Sequence, residues 1–172
     1  LFECLNRAQS VGWRVNDAVL DHVDWAMKHK TDAFADIWEQ QNPEAKETKL
    51  REARAVWRIA TKLRGRVFYH RYYYDFRGRK YPASAYLHEQ GADLARGLLL
   101  REDGKALGVK GLSWLLIAAA NAWAGPVVDG QAADALKTDK IRLRDRVAWG
   151  KTNLAWIMDV ARRPRENHRW MR

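Results

Sequence analysis

Cysteine is nearly absent from this 172-residue chain. Cys4 is the only one, which excludes a disulfide framework and a cysteine-rich zinc site and suits a reducing compartment. Histidine offers no metal centre either. His22, His29, His70, His88 and His168 are scattered, without His-x-x-x-His or Cys-His ligand spacing. Long apolar runs are missing. The longest, Leu112 to Ala124, has 13 residues and contains Ser113 and Asn121. It is too short to span a bilayer and reads as a buried helix. No signal peptide is visible, and the first residue is Leu, so the start of the gene product is expected upstream. No Gly-x-x-x-x-Gly-Lys-Ser/Thr loop occurs, and Gly104, Gly108 and Gly111 do not make a Gly-x-Gly-x-x-Gly fingerprint. A P-loop is excluded and a dinucleotide site is not expected. No acidic pair lies in an apolar strand context that would suggest two metals. Asp17, Asp21 and Asp24 fall near one helical face, where solvation is the expectation.

Acid is in deficit as well. The chain has 31 Lys and Arg against 21 Asp and Glu, a net charge of +10. That favours a polyanionic partner, nucleic acid before a membrane surface. The excess is concentrated. Residues 46–80 hold twelve Lys/Arg and three acids, a net +9, and residues 140–172 hold ten and three, a net +7. The rest of the chain is acidic, so the electrostatics are directed rather than merely solubilising. Two solvated helical faces would give the same counts. What is plentiful is apolar and aromatic: nine Trp and 47% hydrophobic residues argue against disorder. The length suits one ordinary domain or two small ones.

Periodicity predicts a mainly α chain with a small β-hairpin element, an α+β class. Leu5, Ala8, Gly12, Val15, Val19, Val23 and Ala26 recur at steps of three and four, which predicts one long amphipathic helix over 2–28. Thr31 or Asp32 is placed to cap a short helix through Trp38. Asn42-Pro43 is a start signal, with Asn as N-cap and Pro at the first helical position. In the helix expected over 43–64, Leu50, Ala53, Val56, Trp57, Ala60 and Leu63 share one side, and Arg51, Arg54, Arg58 and Lys62 the other. One stripe can pack on a core while the other presents four cations to a phosphate backbone or to water. Gly65 ends that helix. Val67 to Tyr74 is rich in strand formers, Asp75 to Arg79 reads as a turn, and Lys80 to Ala85 as its return strand. Further helices are expected over about 109–123, ending at Gly125-Pro126, over a short piece from Ala132 to Leu136, over 139–149 with Thr138 or Asp139 as cap, and over 153–162 before Pro164.

The hairpin tip carries the chemistry. In Asp75-Phe76-Arg77-Gly78-Arg79-Lys80-Tyr81 two guanidinium forks flank a glycine that a phosphate can approach closely. Asp75 can orient one fork, and Tyr72, Tyr73, Tyr74, Phe76 and Tyr81 offer faces to a sugar or base. A purely structural hairpin, with its Arg side chains paired to Asp75 and Glu89, would use the same residues.

In this order the chain resembles the bacteriophage-type, single-subunit DNA-directed RNA polymerases, which are similar to the mitochondrial enzymes. The stretches that match are Leu5-Asn6-x-x-Gln9-x-x-x-Trp13-x-Val15-Asn16 and Asp75-x-Arg77-Gly78-Arg79-x-Tyr81. Gln90-Gly91-x-Asp93-x-x-Arg96-Gly97-Leu98-Leu99 follows, then Gly104-Lys105-x-x-Gly108-x-x-Gly111-x-x-Trp114-Leu115-x-Ile117-x-x-Ala120-Asn121. Asp139-Lys140 through Trp149, Asn153, Ile157, Pro164 and Trp170 come last. No single stretch is specific; their collinear order is. Between Trp13 and Asp75 the chain looks shorter than the family usual, and between Gly125 and Asp139 longer.

The resemblance implies part of a right-hand polymerase fold: residues 1–41 as the end of an N-terminal region, 42–66 as a thumb-like basic helix, and 67–172 as the first part of the palm with a helical insertion. It implies template-directed nucleotidyl transfer in the parent enzyme, with contacts to the DNA template or RNA–DNA hybrid in this segment. Arg77 and Arg79 would grip phosphates, Gly78 would allow close approach, Asp75 would orient an Arg, and Tyr81 would pack at the hybrid. Arg51, Arg58 and Lys62 would follow the template from the thumb-like helix. The family's magnesium ions and nucleoside triphosphates are handled by residues not among these stretches. The resemblance therefore implies a segment ending before the first catalytic Asp motif, inactive alone, with no cofactor bound to it and no membrane partner. A phage or prophage protein in a bacterial cytoplasm is expected ahead of a mitochondrial one. The alternative is a stand-alone basic helical nucleic-acid-binding protein without enzymatic activity.

Overall fold

In a computed structural model, residues 2–31, 34–123 and 137–166 are described. The first segment departs from the single helix that periodicity predicts. Helix α1 covers Phe2–Gln9, strand β1 covers Gly12–Val15, and helix α2 covers Asp17–His29. Two features break the helix, one a distant contact and one a local cap. At Gly12 a Cβ would stand 3.0 Å from the Glu102 Cβ and 3.2 Å from Val67 Cγ1, so the backbone lies close to its neighbours. At Asn16, in extended conformation, the side-chain oxygen accepts from the Val19 N–H and starts α2. The three-and-four spacing is real on either side of the break. Val15, Leu20, Val23 and Ala26 are all buried, but from a strand and a helix together.

Helix α3 covers Ala35–Trp38. Of its two expected caps, Asp32 lies outside the described residues, and the Thr31 carbonyl accepts from the Phe34 N–H at 3.1 Å. Helix α4 covers Pro43–Leu63, as its start signal predicts. The Asn42 side chain accepts from the N–H of Glu44 and of Ala45, at 2.9 and 3.2 Å. Ala53, Val56 and Ala60 are buried along one side, packed with α2 and α3 residues in one core. Each fully buried aliphatic side chain there, such as Val23, contributes about 1.5–3 kcal/mol.

The stretch of strand formers after Gly65 is not one strand. It divides into β2, Phe68–Tyr69, and β3, Tyr72–Tyr74. Strand β2 pairs antiparallel with β1, Trp13 opposite Phe68, while β3 pairs with β4, Lys80–Pro82, Tyr73 opposite Tyr81. Helix α5, Asp93–Gly97, precedes strand β5, Leu99–Arg101. Strand β5 closes a three-stranded sheet in the order β2-β1-β5. Arg14 of the central strand β1 and Glu102, just past the end of β5, pair through two hydrogen bonds.

This first unit runs to Gly104; the second begins at Lys105. Helix α6 covers Gly108–Trp123, α7 Leu143–Thr152 and α8 Leu154–Arg162. The expected helix over 139–149 starts later than its pattern suggested. Thr138 does not cap it. Its hydroxyl is buried and donates to the Ala120 carbonyl at 2.7 Å, and Asp139 pairs with Lys140 at 2.7 Å. Helices α6 and α7 approach closely at Gly150, where a Cβ would stand 2.8 Å from that of Leu116. The expected stop at Gly125-Pro126, the short helix over 132–136 and the match at Trp170 lie outside the described residues.

Candidate nucleic-acid interface

The β3–β4 turn is built around the Asp75 carboxylate. Its Oδ1 accepts from the backbone N–H of Arg77 and of Arg79, both at 2.9 Å. The Asp75 N–H donates to the Arg79 carbonyl and the Gly78 N–H to the Asp75 carbonyl, each at 3.0 Å. Gly78 adopts φ +76°, in the left-handed region. A glycine is favoured there, and no atom outside the turn lies within 4 Å of a Cβ built at that position. The backbone is therefore open to an approaching group.

The two arginines differ. Arg77 is held: its Nε donates to Asp75 Oδ2 at 3.1 Å, its Nη2 lies 3.0 Å from the same oxygen, and its guanidinium stands 5.3 Å from the Phe76 ring. Arg79 is exposed and makes no ion pair among the described residues. Phe76 stands 95% exposed at the tip. Behind it Tyr73 and Tyr81 lie with ring centroids 5.9 Å apart, and Lys80 Nζ sits 4.2 Å over the Tyr72 ring. Burial, with Glu89 close by, pushes the Tyr72 phenol up. The turn thus presents one oriented fork, one free fork and an exposed aromatic edge, which can take up phosphate and a stacked ring.

On α4 the expected stripe is present. Arg51, Arg54, Arg58 and Lys62 are exposed and form no ion pair among the described residues. Their neighbour Arg64 is different: it pairs with Asp21 at 2.8 Å and Asp17 at 3.4 Å. Those carboxylates hold its guanidinium pKa above the ordinary value. The face of Asp17, Asp21 and Asp24 is accordingly not merely solvated, because Asp24 also binds Lys28 at 2.7 Å.

The second basic segment behaves otherwise. Arg142 pairs with Asp145, Arg163 with Asp159 and Glu166, and Lys140 with Asp139. Arg146 donates to the Asn121 side chain and to the carbonyls of Ile141 and Asp139. Much of the described part of this segment's charge therefore serves the local structure. Charge counting cannot see that, and the i,i+3 spacing of Arg142 to Asp145 and the i,i+4 spacing of Asp159 to Arg163 were the signals available. Among the described residues no three His, Cys, Asp or Glu form a group able to hold a metal ion, and no helix is long and apolar enough to cross a membrane.

Residues 105–172 match the family model of the DNA-dependent RNA polymerase. The chain is 32% identical to the mitochondrial DNA-directed RNA polymerase 1 of Arabidopsis thaliana over 198 aligned residues, covering 99% of this chain and 19% of that protein. It is 33% identical to the chloroplastic/mitochondrial DNA-directed RNA polymerase 2 of the same plant, covering 99% of this chain and 18% of that one. Against the mitochondrial DNA-directed RNA polymerase of Neurospora crassa it is 36% identical over 65% of its length, 7% of that protein. The chain belongs to the single-subunit DNA-directed RNA polymerase family. It spans about a fifth of the length of the plant relatives it matches. The plant alignments are longer than the chain, so those relatives carry residues that it lacks.

Proposed function

We propose that this chain contributes template and RNA–DNA hybrid contacts to a DNA-directed RNA polymerase. The observation that carries the reading is the collinear similarity to such enzymes over 99% of the chain. The turn geometry supports it. Arg77, oriented by Asp75, and Arg79, free beside an open Gly78, would bind successive phosphates, with Tyr81 packed against Tyr73 beneath the hybrid. Arg51, Arg58 and Lys62 on α4 would follow the template strand. We assign residues 42–66 to a thumb-like element and 67–172 to the start of the palm. Nucleoside triphosphates and magnesium would be handled by residues outside the matched motifs. No observation favours the stand-alone binding protein. A phage or prophage source acting in a bacterial cytoplasm remains our reading of its origin; the organellar names belong to the relatives.

The test is an RNA–DNA hybrid with a recessed RNA 3′ end, offered to the chain with nucleoside triphosphates and magnesium. The expected outcome is binding of the hybrid with no extension of the RNA. Absence of hybrid binding at low salt overturns the proposal, and extension by the chain alone overturns the assignment of the chemistry to other residues.

A further inference from the structure

Where α2, α3 and α4 meet, a cavity of about 650 Å3 opens, a size typical of small-ligand sites. Its floor is Met27, Trp38, Leu50 and Trp57, all packed against the core of the first unit. Its rim is cationic, with Lys28, Lys30, Lys46, Arg54 and Arg58 against the single acid Asp24. Lys28 is committed to Asp24, and Lys46 donates to the Trp38 carbonyl at 2.9 Å. Lys30, Arg54 and Arg58 have no ion pair among the described residues. Lys30 also holds the left-handed C-cap of α2 at φ 50°, a position that favours glycine or asparagine.

We infer that this groove holds one unstacked nucleotide of single-stranded nucleic acid, its base on the indole floor and its phosphates among Arg54, Arg58 and Lys30. The inference rests on the polymerase reading and adds a site separate in sequence from the hairpin. An indole face accepts any base, and guanidinium forks suit phosphate. A duplex keeps its bases inside the stack and must pay unpairing and unstacking energy to bring one to the floor, which a single strand largely avoids. An acidic peptide would satisfy the rim without using the tryptophans.

The test compares a short oligothymidylate with an abasic strand of equal length, and cross-links the chain to a strand carrying 5-iodouracil. The base-bearing strand is expected to bind about tenfold more tightly, with adducts on Trp38 or Trp57. An Arg54→Ala, Arg58→Ala double variant changes only exposed side chains, so it should fold normally, bind more weakly and lose those adducts. A Trp57→Ala variant should weaken binding about tenfold while Trp57→Phe retains most of it. Equal affinity for the two strands, or adducts confined to Phe76, Tyr73 and Tyr81, overturns the groove and leaves the polymerase reading standing. Full displacement of the strand by an acidic peptide of equal charge makes the groove a peptide site instead. Failure to bind either a single strand or an RNA–DNA hybrid overturns both readings.

Discussion

Asp75 decides whether the hairpin tip has a shape. One carboxylate oxygen takes two backbone N–H groups and the other takes the Arg77 guanidinium. Asp75→Ala is therefore expected to cost about 1 kcal/mol of stability and to weaken nucleic-acid binding more than Arg77→Ala does, because it frees the turn as well as the fork. Chemical denaturation and hybrid binding on the same two variants check this. Gly78→Ala should cost a further ~1 kcal/mol, since φ +76° disfavours any Cβ. His70 supplies a pH dependence. It is buried against Trp13, Phe68 and Tyr72, and that burial lowers its pKa, with Glu89 opposing and His88 adding. The unfolded chain takes up a proton near pH ~6.5, and the folded chain only below that. Stability should thus fall as pH drops through about 6.5, by at most ~1.4 kcal/mol per unit, and be unaffected by this group well above it. Denaturation midpoints across that range should show the slope, and His70→Phe should remove it.

Among the elements, α4 was the most legible. Asn42 and Pro43 mark its start, its apolar positions keep helical spacing, and nothing interrupts it. Asn42→Ala should cost about 1 kcal/mol, read by thermal denaturation. The N-terminal segment was less legible for a definite reason. Residues at i, i+3 and i+4 line one helical face, but Gly12 and Val15 meet their neighbours from a strand, and the partners that make β1 a strand lie at Phe68–Tyr69 and Leu99–Arg101. A pairing that distant leaves no local signal. The eight-residue run from Val67 was misread similarly, because its two halves join different sheets. In the site, Asp75, Gly78 and Arg79 were legible from turn chemistry. The groove floor was not, since Trp38 and Trp57 lie on separate helices brought together only by packing. The α6–α7 contact was hidden too. Gly150→Val should destabilise the second unit by about 1–3 kcal/mol, because Leu116 leaves no room.

At the scale of the whole molecule, the net charge of +10 divides by use. Arg51, Arg54, Arg58 and Lys62 of α4 and Arg79 of the hairpin make no ion pair among the described residues, whereas Arg142 and Arg163, which flank α7 and α8, pair within their own unit. The family model covers the second unit, from Lys105 onward, while the free cations lie in the first, where relatives also align. A basic chain whose charge merely kept it soluble would not need that division. The most direct test is the salt dependence of hybrid binding for the parent chain and an Arg77→Ala, Arg79→Ala double variant. The account predicts a log–log slope flatter by about two units in the variant, one per lost phosphate contact, with no change in sequence preference. An unchanged slope and affinity in a variant that folds normally would contradict it.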